Sequence, residues 1–121
     1  MAETWDELLN RNPNNRGELY LRVRLRVLAT AEGGRSSPFF HDYRPDWDIG
    51  SHEGGLNGAP IWIEGQASVA PGSEATVRLV PLAPEFWGHV APGMEIAMHE
   101  GPRVVGAGVV IEVCTADHSN E

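Results

Sequence analysis

Apolar and polar residues alternate from Leu19 to Val27. Leu19, Leu21, Val23, Leu25 and Val27 take every second position, with Tyr20, Arg22, Arg24, Arg26 and Leu28 between them. A period of two predicts a strand with one buried face. Shorter runs follow the same logic. "PIWIE" reads as a short strand, "ASVAPGSEATVRLVPL" as strand, Pro-Gly turn and strand, and "VAPGMEIAMHE" as the same turn opening another strand. Trp47 and Ile49 begin a further alternation that the Gly-rich "GSHEGGLNG" cuts off. In "RVVGAGVVIEV", Val105, Ala107, Val109, Ile111 and Val113 fall on one face and Gly106 and Gly108 on the other. Two glycines on one face permit a sharp bend or a close approach by another backbone.

One stretch reads differently. "TWDELLN" has Thr4 as N-cap and Glu7 three residues on, a capping box. Trp5, Leu8 and Leu9 share one side of that short helix, and "NRNPNNRG" ends it with turn-forming residues. A helix of about two turns is marginal alone, so its apolar side needs a surface to dock on. The expected fold is all-β: a closed antiparallel barrel of about six strands with a short N-terminal helix. The expected organisation is helix and linker over 1–15, barrel over 16–114 and a polar tail over 115–121.

Composition narrows the function. The chain of 121 residues fits one domain. Its 9 basic residues are all Arg, against 17 acidic ones, for a net charge of -8. That balance repels nucleic acid and anionic membranes at long range. The absence of Lys removes a phosphate-loop lysine and a Schiff-base lysine together. The single Cys114 excludes an internal disulfide, and a reducing cytoplasm is the simplest setting. At the end of an apolar strand, with no His or basic group beside it, Cys114 reads as a small buried hydrophobe. "MAETWDELLN" lacks the basic and apolar regions of a secretory signal, and no run approaches the ~20 apolar residues that span a bilayer.

No catalytic constellation emerges. His41 and Asp42 are adjacent in an extended segment and point to opposite faces, which is poor geometry for a dyad. His41, His52, His89 and His99 are scattered without metal-ligand spacing. The expectation is no enzyme, no metal and no cofactor. "EGGRSSPFFHDYRPDW", from Glu32 to Trp47, is instead irregular, aromatic and Arg-rich, like a surface made for contact. Phe39 and Phe40 cannot both face inward on a regular strand, so one is exposed or tucked under the loop. Trp87 in "PEFWGHV" is either an exposed anchor or a plug at the barrel end. The stripe of Arg22, Arg24 and Arg26 is either a solvated outer face or the one concentration of positive charge available to RNA.

Three stretches taken together, "EGGRSSPFFHDYRP", "VAPGSEATVRLVPL" and "HEGPRVVGAGVV", resemble the C-terminal β-barrel domain of bacterial elongation factor Tu, in order and spacing from about Gly17 to Val113. The resemblance implies that barrel and its contact surfaces, without the GTPase domain, the middle barrel or GTP binding. In the family this domain packs on the other two, contacts the nucleotide exchange factor and binds the T-stem side of tRNA. The motif arginines fall at Arg35, Arg44 and Arg103, and an acidic contact at Glu100. Asp46 stands where the family has a Gln facing the T-stem, and His99 where a basic residue is usual. A further Thr contact falls near Gly55. The implied function is a non-catalytic module engaging a protein partner that recognises the family's domain, through Arg35, Phe39, Phe40, Tyr43, Arg44 and Trp87. The alternative is a weak tRNA-binding protein using Arg22, Arg24, Arg26, Asp46, His99, Glu100 and Arg103.

Overall fold

The computed structural model describes residues 4–50 and 55–115. Residues 51–54 of the Gly-rich loop, His52 among them, and the polar tail beyond Thr115 lie outside them. Among the described residues nine strands carry the fold: β1 (Leu19–Val27), β2 (Phe39–Phe40), β3 (Asp46–Asp48), β4 (Asn57–Gly58), β5 (Ile61–Ile63), β6 (Ser68–Val69), β7 (Glu74–Leu79), β8 (Glu95–Glu100) and β9 (Arg103–Thr115). The one α-helix among them, α1, spans Trp5–Asn10.

The alternation in β1 does what its period requires. Its five odd-numbered side chains are buried, and its arginines face out. β1 sits centrally, antiparallel to β7 on one side and β9 on the other. The full order is β4-β3-β8-β9-β1-β7-β5, with β2 and β6 forming a separate pair.

The expected closed barrel is corrected by this order: the sheet is a curled antiparallel half-barrel. Its two edges, β4 and β5, are nevertheless neighbours in the chain, separated only by Ala59 and Pro60. Pro60 has no N–H to donate, which interrupts a ladder at that point. Isolated backbone bonds knit the seam instead: Ala59 N–H to Pro45 O, Ile61 N–H to Tyr43 O, Val80 N–H to Pro60 O and Leu82 N–H to Gly58 O.

β9 keeps Ala107, Val109 and Ile111 opposite Gly106 and Gly108, as the sequence reading has them, but departs from it at Val105 and Val113. Val105 is buried with Gly106, Gly108 and Val110, while Ala107, Val109 and Ile111 face out. Two bulges cause this. The β8 register slips between Met98 and His99, leaving Val105 as the extra residue, and the β1 register slips between Arg22 and Val23, leaving Ile111 extra. Each bulge adds one residue and shifts the alternation. The glycines serve close approach: a Cβ on Gly108 would lie 2.4 Å from Val23 Cγ1.

The capping box forms as expected. Thr4 Oγ1 accepts from Glu7 N–H, and Glu7 Oε1 accepts from Thr4 N–H, both at 3.1 Å. Leu8 is buried at 2% exposure outside the inner core cluster, so α1 makes a satellite core on the sheet's outer side. Asn15 anchors the linker. Its side chain donates to Leu19 O and Pro81 O and accepts from Leu19 N–H, which satisfies a fully buried amide.

Candidate functional site

The "EGGRSSPFFHDYRP" segment folds into a loop pinned to the β8–β9 hairpin. Its turn depends on glycine: Gly33 has φ 94°, and a Cβ on Gly34 would lie 2.3 Å from Leu28 O. Thr30 Oγ1 donates to Arg35 O at 2.6 Å, holding the turn from within. Arg35 then reaches across to Glu100, pairing with its Oε2. The Tyr43 hydroxyl donates to the same oxygen, and Arg103 approaches Oε1 at 3.4 Å. The Arg35 guanidinium lies 4.6 Å from the centroid of the Tyr43 ring, whose other neighbour is Phe39, stacked at 4.7 Å.

Thus Arg35, Phe39, Tyr43, Glu100 and Arg103 form one connected group. Burial alone opposes charge on Glu100, but hydrogen bonds from Tyr43 and Arg35 hold its carboxyl below the ordinary range. Burial, and then the bond to Glu100, push the Tyr43 phenol up, so it stays a donor. The group is a set of satisfied partners that stiffens a loop. Phe39 is buried in the core, and Phe40 stands beside it at 61% exposure.

The remaining residues singled out by sequence lie elsewhere. Arg44 pairs with Asp42, which also holds Arg11. Asp42 has φ 71°. Its carboxyl is opposed by burial yet held below its usual value by Arg11 and Arg44. His41 shares no bond with Asp42: its Nδ1 accepts from Ile63 N–H, its ring stacks on Trp62 at 4.2 Å, and burial lowers its pKa. Trp87 is corrected as an exposed anchor; it is buried at 2%, and the neighbouring Phe86 is the exposed ring. Cys114 is half-buried rather than enclosed. Asp46 lies opposite His99 on the outer face of β3 and β8.

The arginine stripe is not open. Arg22 pairs with Glu64 at 2.8 Å and Glu112 at 3.0 Å, while Arg24 meets Glu74 and Arg26 meets Glu32, each at 3.5 Å. Arg78 joins Glu64 at 2.8 Å and lies 4.7 Å from the Trp5 ring centroid. Every arginine except Arg16 makes an ion pair with a described residue. No group of three or more His, Cys, Asp or Glu among the described residues is placed to hold a metal ion, and no helix among them is long and apolar enough to cross a membrane. No family model matches the chain.

Sequence reasoning left open which face of β9 is inward, placed Val105 with Val109 and Ile111, and missed the exposure of Phe86. The "VV" pairs at 104–105 and 109–110 fit either phase, so only the registers with β1 and β8 reveal them.

Proposed function

We propose that the protein is a non-catalytic binding module whose ligand is another protein, built on a barrel-like scaffold resembling the third domain of elongation factor Tu. The observation that carries this reading is Phe40, 61% exposed on a loop that Arg35, Tyr43 and Glu100 fasten to the hairpin. A large aromatic ring held out from a rigid base is the form that interface hot spots take. Preorganisation lowers the entropy lost on binding.

The reading of tRNA as ligand receives less support. RNA binding draws on cationic groups free to neutralise phosphates, and the arginine stripe is engaged by Glu64, Glu112, Glu74 and Glu32. The carboxylate of Asp46 is exposed on the face where the resemblance would place RNA. The cytoplasm is the proposed location, on the argument from the lone cysteine.

Capture of partners by the tagged protein, with and without RNase, tests this function. The expected result is RNase-resistant capture of a protein that Phe40→Ala weakens by roughly tenfold or more, as for an aromatic hot spot. Capture abolished by RNase, or sub-micromolar binding of aminoacylated tRNA, would replace the protein-binding reading with the RNA one.

A further inference from the structure

The outer face of β3, β8 and β9 carries a pattern that the loop does not explain. Cross-strand partners in an antiparallel sheet share a face, and three rows can be read across these strands. One runs Glu95, Val109, Arg24; the next Asp48, Ala97, Ala107, Arg26; the third Asp46, His99, Val104. The first two start on an acid, cross small or apolar side chains and end on an arginine. Val104, Val109 and Ile111 are exposed at 42%, 45% and 41%.

The two flanks differ electrostatically. On the β1 side the arginines are already matched by Glu74 and Glu32. On the β3 and β8 side, Asp46, Asp48 and Glu95 make no ion pair with any described residue. Among the described residues, the Asp48 carboxylate accepts from the Gly50 N–H at 3.0 Å. An apolar strip with one open anionic flank therefore lies on a chain of net charge -8.

We infer that this face docks a cationic amphipathic polypeptide segment, its apolar side on Val104, Val109 and Ile111 and its basic side on Asp46, Asp48 and Glu95. The inference rests on the protein-binding reading above and gives the partner its chemistry. Open carboxylates select against nucleic acid and against acidic segments.

The test is a fluorescence anisotropy titration of the full chain with a labelled Leu/Lys amphipathic peptide of about five helical turns, with a Leu/Glu peptide of the same pattern and a single-stranded RNA in parallel. Amide shift mapping locates the bound peptide. Expected are binding of the Leu/Lys peptide alone, shifts confined to β3, β8 and β9, and weakening as salt rises. Val109→Ser with Ile111→Ser should weaken binding about tenfold, because less apolar surface is then buried against the peptide. Asp46→Asn, Asp48→Asn and Glu95→Gln together should weaken it at low salt only. Unchanged melting of both variants separates a weakened interface from a damaged fold. Shifts elsewhere, equal binding of the Leu/Glu peptide or RNA, or affinity indifferent to both variants would overturn the inference. A partner captured through Phe40 but indifferent to Val109 and Ile111 would overturn it while leaving the proposed function standing. Capture that depends on RNA would defeat the function itself.

Discussion

The outer surface of the sheet has two faces treated in opposite ways. Over β1, β5 and β7 the chain supplies its own cover. Trp5 meets Tyr20 edge-on at 4.9 Å and Trp62 at 6.0 Å, and Leu8 is enclosed behind it. Beneath that cover, Arg22 and Arg78 share Glu64. Over β3, β8 and β9 there is no such cover among the described residues, and valines and carboxylates face outward. The difference shows that apolar and charged groups on one sheet are not interchangeable surface. Where a helix packs, the charges pair and the aromatics interlock. Where none packs, Val104, Val109 and Ile111 stay exposed, and Asp46, Asp48 and Glu95 make no ion pair with a described residue.

The strongest way to break the comparison is to empty the covered side. Leu8→Ala should destabilise the protein by about 2–5 kcal/mol, as for other enclosed leucines, read by denaturant unfolding. A loss under ~0.5 kcal/mol, the scale of ordinary surface changes, would place Leu8 in no core at all.

Next comes acid titration. Glu64 is held at about 2, first by its hydrogen bond to Arg22 and then, against opposing burial, by Arg78. Its folded pKa lies below the unfolded value near 4.5, so its contribution is fully present above pH 4.5 and is lost as pH falls from there toward 2. Glu64→Gln should flatten that part of the stability–pH curve and lower stability at neutral pH. An unaltered acid limb would show that the carboxylate shared by Arg22 and Arg78 contributes nothing.

A smaller effect is expected from Trp5→Ala, about 1–2 kcal/mol, because the ring is half-buried and its contacts are two aromatic edges and one guanidinium. Its fluorescence should also report α1 leaving the sheet before the core melts. The least effect belongs to the open side. Val109→Ser should change stability by under ~0.5 kcal/mol; a loss of several times that would mean the stripe packs on something within the chain.

Much of this was legible. The burial of β1 followed from its unbroken alternation, and α1 from Thr4 and Glu7, because both signals are local. The two bulges of β9 were not, since a bulge is a property of two strands and one chain segment cannot announce it. Gly106 and Gly108 hinted at crowding, but the crowding atoms belong to β1 and β8. The contact loop stood out by its composition. That Arg35 and Arg103 converge on Glu100 depended on pairing two segments about 65 residues apart, a separation that no local period encodes. Phe86 and Trp87 are adjacent rings, and only the turn geometry decides which one enters the core.

The seam at Pro60 bears on how the molecule behaves in a crowded solution. Open sheets are hazardous because a free edge is a template on which a second chain can polymerise. Here the edges are β4 and β5, two and three residues long, joined through a residue that cannot donate. Their backbones are already engaged by Tyr43, Pro45, Val80 and Leu82. The sheet therefore leaves its ladder unclosed, yet among the described residues its edge strands are only two and three residues long and give an incoming strand little backbone to pair with.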